Sequence, residues 1–241
     1  MDRAAYARMA TNEGSHWWFA SRREIIATIL KPYARPEKAL RILEVGCGSG
    51  GNLAMLKNLG QLDAIEYDRE AMEFARARSG VDVVQGALPD DLPVPDAAYD
   101  LIVLTDVLEH IGPDRSSIAA LSRKLAPGGR LLVTVPAMPW LWSAHDVVHH
   151  HHRRYTRASL GAVIEAGGMR IEKIGYFNML LFPLAVFLRA LKFARGDRSG
   201  DDVMPSPMVN RALRALFTSE KHLIGRVRFA FGLSVYAVAG K

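Results

Sequence analysis

From residue 41 the chain alternates short apolar runs with amphipathic stretches. Arg41–Val45 (RILEV) reads as a buried strand, followed by a glycine cluster and a helical stretch through Leu59. Asp63–Tyr67 (DAIEY) reads as a second strand and Arg69–Arg78 as a second helix. Val81–Gln85 is a short third strand, and Tyr99–Thr105 (YDLIVLT) a fourth, with a helix at Ser116–Leu125 after it. Arg130–Val135 (RLLVTV) is a fifth, reached through the turn Pro127-Gly128-Gly129. Strands alternating with helices at this spacing form βαβ units around a parallel sheet covered on both faces.

Three segments depart from the alternation. Residues 1–38 carry a helical pattern with His16-Trp17-Trp18-Phe19 and Arg22-Arg23, and are expected to form an N-terminal arm. That arm either closes as a lid over a pocket or packs plainly on the sheet. Residues 136–155 form a polar, histidine-loaded loop. Residues 179–228 form a helical insertion between two late strands, Met169–Phe177 and Gly232–Ala239, so that 39–241 make one domain with an insertion. Within the insertion, Phe182, Leu184, Phe187 and Leu188 interleave with Arg189, Lys192 and Arg195, and Asp197–Pro207 reads as a loop. A basic amphipathic pattern of this kind suits peripheral contact with a membrane, a cap over an acceptor pocket, or a dimer face.

At 241 residues, 49% hydrophobic and 23% charged, the composition is that of a globular chain and excludes disorder as the main state. The single cysteine, Cys47, excludes an intramolecular disulfide and a cysteine zinc site. Thirty-one basic against 25 acidic residues give a net charge of +6. The basic residues are scattered rather than drawn into a stripe, which disfavours nucleic acid as a partner. The sequence MDRAAYARMATNEG places charges where an export signal has its apolar core, so a cytoplasmic location is expected. The longest uncharged apolar run, Ile174–Leu188, is shorter than the roughly 18–20 residues of a spanning helix, and leaves a peripheral membrane position open.

Glu44-Val-Gly46-Cys47-Gly48-Ser-Gly50-Gly51 ends the first strand and opens a helix. A strand-to-helix turn beneath a nucleoside needs tight backbone angles and leaves no room for a Cβ. Gly46, Gly48 and Gly51 also satisfy the dinucleotide fingerprint, and Glu66, about 20 residues on, suits a ribose diol in either case. Glu44 separates the two. A carboxylate beneath the turn repels a pyrophosphate but attracts a ligand that carries an ammonium and a sulfonium.

The motifs EVGCGSG, AIEYD, TDVLEHI and LAPGGRLLVTVP, in that order across about residues 40–175, resemble the class I S-adenosylmethionine (SAM)-dependent methyltransferases, and most of all the ubiquinone- and menaquinone-pathway branch. The resemblance implies an α/β, Rossmann-like, seven-stranded, mostly parallel sheet with helices on both faces and the last strand antiparallel. It implies SAM as the cofactor. Glu44 and the backbone at Gly46, Cys47 and Gly48 would hold the methionine end, Glu66 the ribose hydroxyls, and Tyr67 the adenine. Family members often carry an aspartate after the third strand. Here Gly86-Ala87-Leu88 stands there, so the Ala87 backbone and the Leu88 side chain would serve, or Asp90 or Asp91 would reach back. Leu104 and Thr105 would border the methyl group.

The acceptor chemistry is expected beyond the strand ends, in Asp106-Val-Leu-Glu109-His110 and in His145-Asp146-Val-Val-His149-His150-His151-His152-Arg153-Arg154-Tyr155. Catalytic candidates are His110, Glu109, Asp106, His145 and His151, with His110 or His145 as a metal-free base or acceptor-positioner. The alternative is a divalent metal on Asp106, Glu109, His110 and His151, a set similar to the ligands of metal-dependent RNA 2′-O-methyltransferases. Arg153, Arg154 and Arg157 suit a carboxylate or phosphate on the acceptor, or a solvated face. The expected activity is SAM-dependent methyl transfer to a hydroxyl of a small molecule, a lipid-linked intermediate or a glycan. The rivals are an RNA methyltransferase, a NAD-dependent oxidoreductase and a non-catalytic module of the same fold.

Overall fold

The computed structural model describes residues 13–34, 37, 39–195 and 204–241. Residues 1–12 and most of the loop expected at Asp197–Pro207 lie outside them.

Five strands run parallel in the order β3-β2-β1-β4-β5: β1 (Leu40–Val45), β2 (Gly60–Glu66), β3 (Val83–Gln85), β4 (Tyr99–Thr105) and β5 (Leu125–Pro136). β6 (Arg170–Phe177) and β7 (Ser234–Gly240) complete a seven-stranded sheet. β7 lies antiparallel between β5 and β6, pairing Val133 with Ala237 on one side and Ile174 with the same residue on the other. The central strands are apolar at almost every position, as strands covered on both faces require.

Among the described residues eight helices surround the sheet: α1 (Trp17–Leu30), α2 (Leu53–Lys57), α3 (Arg69–Ser79), α4 (Asp114–Lys124), α5 (Ala144–Val148), α6 (Arg157–Ala166), α7 (Phe182–Ala194) and α8 (Pro207–Ser219). Alternate residues of one strand feed two cores. Ile102 and Leu104 of β4 face Ile118 and Leu121 of α4 and Leu160 and Ile164 of α6. Leu101 and Val103 face Ile25, Ile26 and Ile29 of α1 and Phe217 of α8. The arm and the insertion therefore meet on the second face. Trp17 and Trp18 pack on Phe217 at 6.1 and 5.5 Å between ring centres. The Trp17 N–H donates to Asn210 Oδ1 at 2.8 Å.

Local chemistry sets the element ends. Asp68 caps α3 by accepting from the Ala71 N–H at 2.9 Å, and Gly80 closes it in the left-handed region. Thr156 caps α6 as its sequence suggests, accepting from Ser159 N at 3.1 Å. Several boundaries differ from the sequence pattern: β5 begins at Leu125 and takes in Pro127-Gly128-Gly129, expected as a turn, and β3 and β7 each begin two residues late. The helix after the glycine turn is the five residues of α2, and β2 begins three residues early, at Gly60. Gly60 sits opposite Leu40, where a Cβ would run into the Leu40 backbone, so glycine permits pairing that its propensity argues against. No helix among the described residues is long and apolar enough to cross a membrane.

Candidate functional site

Beyond the carboxyl ends of β1, β2 and β4 lies a cavity of about 990 Å³. Open α/β sheets place ligands at this edge. The glycine turn forms one wall. Gly46, Gly48 and Gly50 have φ of +71°, +55° and +84°, which only glycine adopts freely. A Cβ on Gly46 would lie 2.5 Å from Val107 Cγ2, whereas one on Gly48 would meet nothing within 4 Å and would stand in the cavity itself.

Glu44 lies behind that wall, 1% exposed. Its Oε1 accepts from Asn52 Nδ2 at 2.8 Å, and the same amide donates to Thr105 Oγ1 at 3.1 Å. Its Oε2 has no hydrogen-bond partner among the described residues. Burial pushes the Glu44 carboxyl up to about 8, against the pull of Asn52 and of the Arg22 charge. Glu66 borders the cavity with Oε2 accepting from Gly48 N at 2.7 Å and Oε1 from Asp68 N at 3.0 Å. Burial raises its pKa as well, while the N–H groups around it oppose the shift. Cys47, Tyr67, Ala87, Leu88 and Thr105 line the same space. Burial also pushes the Cys47 thiol up, so it stays protonated and unreactive.

The arm closes the cavity from the side. Glu13 Oε2 accepts from Ser49 Oγ at 2.6 Å and from Arg78 Nη1 at 2.9 Å, which ties the arm to the glycine turn and to α3. Arg23 Nη1 donates to the Glu13 carbonyl at 2.8 Å. Arg22 is buried in the cavity wall and pairs with Asp106. Burial lowers the Arg22 pKa, and the charges of Glu13, Glu44 and Glu109 oppose that shift. Trp17, Trp18 and Phe19 line the cavity, and Trp17 and Trp18 also pack on Phe217 of α8.

The far side is built from the turn after β4 and the loop after β5. His110 and His151 stand 4.7 Å apart between ring centres, and His145 and His149 stand 4.2 Å apart. The loop is folded by a capping box, Ser143-Ala-His-Asp146, in which Asp146 Oδ2 accepts from Ser143 N at 2.8 Å. Asp146 is fully buried and takes four more bonds, one of them from Ser143 Oγ at 3.3 Å. It accepts from Arg154 Nε at 2.6 Å and Arg154 Nη2 at 2.9 Å, and its Oδ1 lies 2.9 Å from His151 Nδ1. Burial works against its charge, yet the bonds from His151 and Arg154 hold its pKa well below the usual carboxylate range. An ionised Asp146 can only accept, so His151 donates through Nδ1, and in the neutral ring Nε2 is then the acceptor. Burial, with the neighbouring His151 and His149, pushes His110 down to about 3. Burial pushes Glu109 up to about 8.

A family model for the methyltransferase domain matches residues 17–174. This chain belongs to that family. This chain is 30% identical over 142 residues to a Mycolicibacterium smegmatis protein named a probable S-adenosylmethionine-dependent methyltransferase. The match takes in 57% of this chain and only 55% of that protein's length. It is 29% identical over 197 residues to the ubiquinone biosynthesis O-methyltransferase of Xanthomonas axonopodis, 70% of this chain and 81% of that protein. A chain in the complex between the Haloferax volcanii Trm112 methyltransferase activator and a methyltransferase superposes with a TM-score of 0.64 at 19% identity. That superposition covers 98% of this chain and 94% of the other, and speaks to the fold alone.

Most of the residues picked from sequence converge on the one cavity, and several do so in altered surroundings. Leu104 does not border it: the side chain is fully buried in the core between the sheet and α4, and only Thr105 faces the site. Asp106 lines the cavity but leaves the proposed metal set, because Arg22 pairs with one oxygen and Thr134 Oγ1 donates to the other at 3.2 Å. Glu109, His110 and His151 remain together, with ligand atoms within 4.8 Å of one another. The Ala87 N–H is spent on Asp91 O at 2.6 Å, and neither Asp90 nor Asp91 lines the cavity. The arginines are engaged within the fold: Arg153 on Asp114 and the Gly112 carbonyl, Arg154 on Asp146, Arg157 over the Tyr176 ring. Glu13, Asn52 and the positioning part of Asp146 carried no role in the sequence reading. The capping-box spacing Ser143–Asp146 was a visible signal for the last; nothing local marks the other two.

Proposed function

We propose that this chain is an S-adenosylmethionine-dependent O-methyltransferase for a hydroxyl acceptor. The observation that supports it is the meeting, in one cavity, of a buried carboxylate with an unsatisfied oxygen below a glycine turn and a histidine–aspartate pair facing it. The donor, when bound, supplies a methyl group on a positively charged sulfur. Glu44, through its unsatisfied oxygen and the Asn52–Thr105 bonds, offers a negative floor to such a cation. Gly46, Cys47 and Gly48 let the backbone approach, Glu66 accepts from the ribose hydroxyls, and Tyr67, Ala87 and Leu88 flank the base. Arg22 offers a cation to the donor's carboxylate. The arm over the glycine turn excludes water, which raises the value of every charge inside.

Alignment of acceptor and methyl is the main task, worth up to about 7–11 kcal/mol. His151 Nε2 takes the acceptor hydroxyl proton while Asp146 steadies the ring through Nδ1 and the imidazolium that results. His110, kept neutral by burial, and His145 shape the acceptor side. The Xanthomonas relative, named an O-methyltransferase, supports oxygen as the atom methylated. Small molecules, glycans and lipid-linked intermediates all present such a hydroxyl. Calorimetry with SAM and its demethylated product tests the donor half, and a mass-shift screen of hydroxylated acceptors tests the rest. Binding without any turnover would favour a non-catalytic module; RNA binding with steep salt dependence would favour an RNA substrate.

A second reading has one observation of its own. Among the described residues Glu109 Oε2 is buried without a hydrogen-bond partner beside His110 and His151, so these three could hold a divalent cation. His151 Nε2 would then be a ligand and Asp146 its supporting carboxylate. Metal analysis of the purified protein and turnover in EDTA separate the readings: full activity without metal leaves His151 as the base.

A further inference from the structure

Helix α7 has two working faces. Ala185, Leu188, Arg189 and Lys192, at helical spacing, line the cavity. Phe182, Val186, Phe187 and Ala190 line a separate apolar groove on another side, together with Trp140 and Phe231. No other helix or strand among the described residues packs extensively along α7. Trp140 is 64% exposed, Phe187 62% and Leu184 45%. Such a contiguous aromatic surface on one element is more than scattered apolar exposure, and calls for an occupant.

The charge pattern chooses among occupants. The three segments that build the patch, residues 137–145, 174–195 and 221–241, contain no aspartate or glutamate. Arg195, Arg226 and Arg228 in them are exposed. Bare aromatic rings carried by segments whose only formal charges are basic suit a surface that is apolar inside and anionic at its rim. A bilayer containing anionic lipid has that arrangement: rings settle at the headgroup level and arginines meet the phosphates.

We propose that α7, with Trp140 and Phe231, docks this protein on an anionic bilayer. Because the same helix forms a wall of the cavity, docking would set the cavity entrance beside the lipid. An amphiphilic acceptor could then pass its hydroxyl head inward while its tail stays on the groove. The acceptor part rests on the function proposed above; the docking part does not.

The test is co-sedimentation of the full chain with vesicles of phosphatidylcholine alone and of phosphatidylcholine mixed with phosphatidylglycerol. The protein pellets with the mixed vesicles, and added salt weakens the binding. Trp140→Ala with Phe231→Ala lowers the partition coefficient about tenfold or more, and so does the surface pair Arg226→Glu with Arg228→Glu. SAM binding by calorimetry stays unchanged in both, which establishes that they fold. Absence of pelleting with either vesicle overturns the proposal, as does undiminished binding in the arginine pair. A stable dimer in sedimentation velocity that the aromatic pair dissolves also overturns it, since the patch is then a subunit face. Failure of wild type to bind SAM sinks the function reading and leaves the vesicle result standing.

Discussion

Glu44 couples donor binding to pH. Its pKa in the protein is raised to about 8, first by burial, so it is neutral over much of the range in which the donor would bind. The folded state favours the protonated form. This group's contribution to stability is therefore complete below the unfolded carboxylate pKa and is lost as pH rises through about 8. A cationic donor favours the ionised form, so binding expels the proton. SAM affinity should climb between pH 6 and about 8, by up to about tenfold per pH unit, and then level off. The donor's amino group titrates in the same range, so the difference between wild type and Glu44→Gln carries the result. Isothermal calorimetry in buffers of different ionisation enthalpy would read the released proton directly. A second prediction concerns the histidine pair. His151→Gln should lower kcat about 10²- to 10⁴-fold while SAM affinity stays level. Asp146→Asn should repeat that loss and also cost about 3–5 kcal/mol, because Arg154, with its side chain 3% exposed, is left as an unpaired buried cation. Chemical denaturation alongside single-turnover rates separates the two effects. That a histidine of the later loop meets Glu109 and His110 was partly legible in the chain. His151 was chosen, but Asp106 was grouped with it because nothing near Asp106 announces that Arg22, 84 residues upstream, pairs with it.

The turn between β1 and α2 offers a matched pair of substitutions. Gly46→Ala combines positive φ with a close approach to Val107, and should cost about 2–4 kcal/mol of stability. Gly48→Ala has the same sign of φ but an open neighbourhood, and should cost about 1–2 kcal/mol. Its new methyl stands in the cavity, so SAM affinity should fall at least tenfold in Gly48→Ala even though the variant folds. Thermal melts with and without SAM compare the two. Strong alternation made the elements themselves readable: β4 matches its sequence boundaries, and the cap at Thr156 and the helix at 69–79 are nearly as close. Boundaries slipped where pairing overrode propensity, as at Gly60. The short α2 also escaped, since a glycine-rich approach leaves little helical pattern to read.

Across the whole molecule, the arm, the glycine turn and the insertion form one closure. Glu13 bridges Ser49, Arg78 and, through its carbonyl, Arg23; α1 then carries the strain-free remainder onto α8. Glu13→Ala should weaken SAM binding about tenfold, mainly through faster release, while leaving the melting temperature close to that of wild type. Amide exchange at residues 48–52 should quicken in that variant and slow again on adding SAM. Such long-range joins were beyond the sequence pattern: amphipathicity shows that a helix has a buried face, but not which distant helix covers it.

The placement of β7 has a temporal consequence. In the sheet, β6 touches only β7, and β7 is made last of the seven. Until residues 234 to 240 are made, β6 has no neighbour to hydrogen-bond. The acceptor loop after β5 likewise waits beside an open sheet edge. Until β7 slots between them, a nascent chain carries two unpaired edges at once. Synthesis of this protein is thus a race between its final strand and any foreign strand that reaches those edges first.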